Sequence, residues 1–184
     1  VTVGGQQVSI PEDMSEEMQG MIKAIGIYND PELAFYINEI GQRLVAHSSM
    51  PKASFTFTLL DSPDINAFAL PGGHIFINRG LLSYLDTEAE LASVIGHEIG
   101  HITERHHSRR KTQAITSTVL ANTLGLLTRN GNIYSVAKMY GSEIISGFGR
   151  DMELEADAAG AEFMHASGYP VDSVLTSLGV MKDQ

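Results

Sequence analysis

Residues 87–103 read TEAELASVIGHEIGHIT, and this stretch decides both the fold class and the chemistry. Thr87 and Glu90 have the spacing of a capping box, Thr87 as N-cap and Glu90 three residues on, so a helix is predicted to start here. Leu91, Val94, Ile95, Ile99 and Ile102 recur at intervals of three and four, the pattern of a buried helical stripe. His97 and His101 therefore ride on a helix that runs through a core. At about 100° per residue, positions four apart differ by about 40°, so both imidazoles face one way and can reach a single metal ion. Glu98 stands beside them in this HExxH motif, placed to take a proton from a metal-bound water. Gly96 and Gly100 each weaken a helix interior by about 1 kcal/mol relative to alanine. Their presence predicts that a second helix approaches this backbone closely.

Two histidines do not complete a catalytic zinc site, which takes three protein ligands and keeps a position for water. The chain has no cysteine, so a thiolate ligand is excluded. His107 is one candidate, at the last position of the metzincin pattern HExxHxxGxxH. Glu104, however, stands where that pattern has a helix-breaking glycine, and on an unbroken helix His107 lies roughly 240° round from His101 and about 9 Å along the axis. Glu153 is the other candidate, in the run RDMELEAD from Arg150 to Asp157. Glu153 and Asp157 share a helix face at i, i+4. Ala156 and Gly160, small and also four apart, match the close approach that Gly96 and Gly100 permit. Glu155 points about 200° away from Glu153 and reads as a solvated glutamate or a structural ion pair.

Upstream, residues 66–82 read NAFALPGGHIFINRGLL. This Asn-Ala-Phe, Gly-Gly and Gly-Leu-Leu pattern just ahead of HEIGH, with a Glu-x-x-x-Asp helix about fifty residues later, resembles the gluzincin zinc metallopeptidases of the HtpX, BepA and CAAX prenyl endopeptidase type. The resemblance covers roughly residues 60 to 184 and falls on the soluble bacterial branch. It implies a zincin-like fold, one zinc held by His97, His101 and Glu153, Glu98 as catalytic base, and Asp157 as partner of a ligand histidine. It also implies that Asn66 lies near the substrate backbone. The activity it implies is endopeptidase cleavage of unfolded or misassembled proteins, as in protein quality control, with a periplasmic or exported location and, upstream of this chain, room for a lipid anchor.

With 184 residues and 43% hydrophobic content the chain reads as one domain, 1–184, of α+β class, mainly helical with a small β-sheet beside the HExxH helix. A net charge of −10 argues against a nucleic-acid partner, whose phosphates reward dense Lys and Arg. The exception is RHHSRRK, Arg105 to Lys111, read as cations complementing the macrodipole at a helix C-terminus. No run approaches the roughly 20 uninterrupted apolar residues of a membrane-spanning helix; the best, Ala114 to Leu127, is interrupted by Thr, Ser, Asn and Gly.

The remaining elements follow from pattern. Residues 4–11 read as extended and 14–25 as a short helix. Asp30 and Pro31 read as N-cap and first turn of a helix to about Val45, with Leu33, Ile37, Ile40 and Leu44 on its buried face. Phe55 to Leu60 alternates as a strand, and Pro71, Gly72 and Gly73 make a turn between strands at Ala67–Leu70 and His74–Asn78. The second of these is read as a sheet edge, so that Ile75, Phe76 and Ile77 would pair with an extended substrate backbone. A long helical stretch is expected over about 108–127, a loop around 128–132, a glycine-punctuated gating segment over 128–149, and a last helix from Pro170. His47 reads as a surface or capping residue, His74 as an ordinary strand position and His106 as solvated; His165, roughly 18 Å beyond Glu153 on one helix, cannot share its metal.

Three function classes are compatible with these features. A zinc endopeptidase accounts for all of them together. A zinc-retaining, non-proteolytic, chaperone-like module leaves Glu98 unexplained, because a purely structural site has no use for a base. A non-peptidase metal hydrolase is separable by substrate. Stabilising the oxyanion needs a second donor; Tyr140, Tyr169 and Arg150 are of suitable type, and the sequence selects none of them.

Overall fold

The computed structural model describes residues 2–3, 6–7, 14, 16–111 and 149–171. Two short strands, β1 (Thr2–Val3) and β2 (Gln6–Gln7), pair antiparallel. Helices α1 (Glu16–Ile25) and α2 (Pro31–Ala46) follow. Next come strands β3 (Thr56–Leu60), β4 (Ala67–Leu70) and β5 (His74–Asn78), the short helix α3 (Arg79–Leu82) and the HExxH helix α4 (Glu88–Thr103). Helix α5 (Arg150–Ala166) carries the Glu-x-x-x-Asp motif. The chain divides into two compact units, Val1–Glu104 with Glu155–Gln184, and Arg105–Leu154. The expected α+β class, helices with a small sheet, is what the structure shows.

The predicted caps form. The Asp30 carboxylate accepts from Leu33 N at 3.0 Å with Pro31 in the first turn of α2. At α4 the box is reciprocal: Glu90 N donates to Thr87 Oγ1 at 3.2 Å, and Thr87 N donates to Glu90 Oε2 at 3.2 Å. Such caps satisfy amides that a helix start otherwise leaves unpaired.

The three-stranded sheet has the order β3-β5-β4, with β5 parallel to β3 and antiparallel to β4. Strand β5 is therefore central, which corrects its reading as an edge. Ile75, Phe76 and Ile77 are fully buried and both their ladders are taken, so they do not pair with substrate. An uninterrupted apolar run fits a strand covered on both faces, but Ala67–Leu70 carries one as well, so the run alone does not mark β5 as central. Among the described residues the outer side of β4 has no strand partner, whereas β3 is flanked by a bridge from Ile27 to Leu60 and by Tyr28 N donating to Leu59 O. The turn into β5 uses Gly72 and Gly73 at φ 99° and 90°, a region that costs other residues strain.

One sheet face joins Phe57, Leu59, Ala67, Ala69, Ile75 and Ile77 to Ile37, Ile40 and Leu44 of α2 and to Leu91, Ile95 and Ile99 of α4. The other face sets Leu60 and Phe76 against Ile22 and Met14, with the Phe68 and Phe76 rings stacked 5.2 Å apart. Outside the core, the Glu88 carboxylate at the start of α4 accepts from Tyr36 at 2.7 Å and from Tyr169 at 2.6 Å. The Tyr169 hydroxyl keeps Glu88 below the usual carboxylate range, while burial, then Glu88, pushes Tyr169 up to about 12.

The close helix approach read from small residues is present. A Cβ on Gly160 would lie 2.9 Å from both Gly96 C and His97 N; one on Gly100 would lie 2.8 Å from Ala156 O; one on Gly96 would meet Gly160 O at 3.2 Å. Helix α4 ends at Thr103, with Glu104 as C-cap and Arg105 at φ 56°. Residues 106–111 are helical again. Two readings are corrected by this break: the helix does not run on to His107, and the cations from Arg109 onward do not sit at its C-terminus. His106, read as solvated, is fully buried. His74 is an ordinary buried strand residue bonded to Thr56 Oγ1 at 2.9 Å, and His47 caps α2. The expected stretches at 112–148 and beyond Val171 lie outside the described residues.

Gly160→Ala is expected to destabilise by about 1–3 kcal/mol through overpacking against backbone that cannot yield. Gly149→Ala, with nothing within 4 Å of the added atom, should be neutral. Denaturant midpoints of the two variants give the test, and equal midpoints would contradict the close crossing. Phe76→Pro, which removes a ladder hydrogen bond from the central strand, should abolish cooperative unfolding as followed by circular dichroism.

Candidate metal centre

The HExxH residues lie in the C-terminal half of α4, whose inner face is core from Leu91 to Ile99. His97, Glu98 and His101 are consequently buried, at 8%, 6% and 3% exposure. Burying two imidazoles and a carboxyl within one helical turn is unfavourable unless they are paired or bind a cation. The two rings meet edge to face, centroids 4.6 Å apart, with Nε2 of His97 and Nε2 of His101 converging to 2.9 Å.

Helix α5 supplies the remaining groups. Ala156 and Gly160 fit against Gly100 and Gly96, which brings the α5 residue between them, Asp157, to His97. The Asp157 carboxylate accepts from His97 Nδ1 at 2.8 Å. A carboxylate on Nδ1 fixes the tautomer, holding the proton there and leaving the Nε2 lone pair available to a metal. One turn earlier on the same helix is Glu153. One ligand atom from each of His97, His101 and Glu153 lies within 4.8 Å of the others.

Two imidazole nitrogens and a carboxylate oxygen are a donor set suited to a divalent cation such as zinc in a catalytic site. His107 and Glu155 are not in the cluster. His165 is exposed near the end of α5. Arg150 is the exposed first residue of α5. Tyr169 is held by Glu88 and by Arg43 at 2.9 Å, at the opposite end of α4 from His101, and so is not placed as an oxyanion donor. Tyr140 lies outside the described residues. Asn66 is exposed and enters β4, its carbonyl accepting from Asn78 N at 3.0 Å.

The free-edged strand is a feature that the sequence reading placed one strand too late. Strand β4 lies against α4, so the edge that has no strand partner among the described residues neighbours the HExxH helix. The contrast appears only in the structure, where Ala67–Leu70 alternates in burial and β5 is fully buried.

Residues 31–178 match Peptidase family M48. The chain is 33% identical to the beta-barrel assembly-enhancing protease of Escherichia coli (strain K12) over 189 residues, covering 98% of this chain and 38% of that protein. Identity to the Yersinia pestis protein of the same name is 33% over 195 residues, covering all of this chain and 40% of that protein. The mitochondrial metalloendopeptidase OMA1 of Arabidopsis thaliana is 32% identical over 124 residues, 67% of this chain and 25% of that protein. The chain thus spans about two fifths of the length of the first two relatives. With the matched region taking in the HExxH helix, the Glu153 helix and the sheet between α2 and α4, the chain belongs to Peptidase family M48.

Proposed function

We propose that this chain is a zinc-dependent endopeptidase domain in which His97, His101 and Glu153 hold the metal and Glu98 is the general base. The observation that carries the reading is the convergence of those three ligand atoms beside a buried glutamate on α4. Bound zinc would supply Lewis acidity and acidify a water molecule. The residues of the chain account for the rest. Asp157 holds His97 in the metal-binding tautomer. Glu98 accepts a proton from the attacking water and returns it to the leaving amine, which converts a poor leaving group into a neutral one. Its low exposure keeps bulk water from competing for that proton.

Substrate is held along the unpaired edge of β4, with Asn66 at the entry to that strand. Backbone pairing there would accept many sequences and present the scissile bond in extended form. Such tolerance suits unfolded or misassembled protein substrates. The identity to proteins named beta-barrel assembly-enhancing protease supports a protein substrate, and the exported, periplasmic setting is proposed with it. Among the described residues no helix is long and apolar enough to cross a membrane.

Cleavage of casein by the purified chain should stop on chelation and return with added zinc. His97→Ala, His101→Ala and Glu153→Ala should lose zinc by elemental analysis. Glu98→Gln should retain zinc and lose turnover; proteolysis by that variant near the wild-type rate would falsify the general-base role. Asp157→Ala should weaken zinc binding by on the order of 10- to 100-fold while leaving the fold intact. If Glu153→Ala keeps full zinc while His107→Ala loses it, the ligand assignment fails.

A further inference from the structure

The open edge of β4 presents different chemistry on its two faces. The ladder with β5 sets Phe68 opposite Phe76 and Leu70 opposite His74, and one step earlier Asn78 N donates to Asn66 O. Bonded positions alternate along an antiparallel pair, so Phe68 and Leu70 direct their backbone groups at β5. Ala67 and Ala69 direct theirs outward, to the side that has no strand partner among the described residues.

Side chains alternate between the faces of the sheet. Ala67 and Ala69 are buried in the core that holds Leu91, Ile95 and Ile99 of α4, and they offer only methyl groups on that face. Phe68 and Leu70 stand on the other face, half-buried against the cluster of Met14, Ile22, Leu60 and Phe76. The Phe68 ring stacks on Phe76 with centroids 5.2 Å apart, on the β5 side. Its opposite flank, like that of Leu70, adjoins the open edge. Two large apolar side chains at alternate positions therefore border the place where an added strand would lie.

We propose that Phe68 and Leu70 determine specificity, selecting extended chains whose large apolar side chains stand two residues apart; this rests on the reading that substrate is held along the β4 edge. A chain that pairs with the outward groups of Ala67 and Ala69 sets every second side chain on the face of Phe68 and Leu70. Aromatic and branched side chains opposed across a ladder on one face stabilise it, and a polar residue there leaves the open flank of Phe68 poorly covered. The intervening side chains fall beside the two alanine methyls, where β4 has little with which to discriminate. The substrate class is thus a segment with strand-like alternation, apolar on one side. Such a segment buries that side in its own folded protein, so it is exposed when that protein is unfolded or misassembled.

The test is cleavage of two quenched fluorescent peptides of one composition by the whole, zinc-loaded chain. One alternates valine and phenylalanine with serine and glutamine; the other carries the same apolar residues side by side. The alternating peptide is expected to have a roughly tenfold higher kcat/KM, at about threefold per cross-strand contact. Phe68→Ala with Leu70→Ala should bring that ratio to about one, whereas Phe68→Leu or Leu70→Ile should keep most of it. Tyr84→Ala, an exposed aromatic outside β4, should leave the ratio unchanged. Ala69→Pro, which removes an outward N–H and none from the ladder, should weaken cleavage of both peptides alike.

Equal cleavage of the two peptides by the wild-type chain, or a ratio that survives the double alanine variant, overturns the proposal and leaves the peptidase reading standing. Unchanged cleavage by Ala69→Pro places substrate away from β4 and overturns it as well. Cleavage of neither peptide counts against the peptidase reading; fluorescence anisotropy of the same peptides with the Glu98→Gln chain then decides. A preference of the same size in binding supports the selectivity, and equal or absent binding overturns it. A dimer in sedimentation that the alternating peptide does not dissociate puts a second copy on the edge, which also overturns the proposal. Should the double variant fail to fold, the wild-type ratio and Leu70→Ala alone still decide.

Discussion

The backbone contact between α4 and α5 is the constraint on which the rest of the structure depends. Side chains normally hold packed helices 8–10 Å apart. Here Gly96 and Gly100 meet Ala156 and Gly160 with backbone atoms so near that an added Cβ would fall within 2.8–3.3 Å of them. Glycine is unfavourable in a helix interior, and three of the four positions accept that cost. In return, the side chains flanking the small residues reach across. Asp157, between Ala156 and Gly160, meets His97, which directly follows Gly96. The clustering of groups that could hold a metal follows from the crossing, because His97 and His101 sit on α4 and Glu153 on α5.

That placement also explains how so much polarity is tolerated in the core. His97, His101 and Glu98 occupy the same helix as Leu91, Ile95 and Ile99, and all are buried. The cost of desolvating them falls when each has a partner, and a divalent cation satisfies several at once. On the proposed reading, a cation held there would couple metal binding to the folding of this region. The Glu88 network with Tyr36, Tyr169 and Arg43 ties α2 and the turn after α5 to the start of α4, remote from the chemistry.

Most of this was legible in residue order. The capping box, the stripe from Leu91 to Ile102 and the matching small residues predicted both helices and their approach, because each is a local or periodic signal. Sheet order was not legible in the same way. Ile75, Phe76 and Ile77 read as an edge strand, yet β5 is central, since pairing is a long-range property that a short apolar run does not report. His106 was misread because a histidine among Arg and Lys resembles a solvated face, and burial there is set by tertiary contacts. Glu153 over His107 could be argued only from an assumed straight helix, and that premise failed although the ligand cluster contains Glu153 and not His107.

The break in α4 shows why. Helices commonly end at glycine, which enters the left-handed region freely. This one ends with Arg105 at φ 56°, a conformation that costs a non-glycine residue roughly 1–3 kcal/mol. Nothing in the sequence announces the stop, so periodicity ran past it. The next residue, His106, has no exposed surface at all. Stopping the helix at Thr103 ends α4 two residues beyond His101. A straight continuation would have made the cations that follow a cap for α4. The stop at Thr103 leaves His97, Glu98 and His101 within α4 and Arg109, Arg110 and Lys111 in the next helical segment, 106–111.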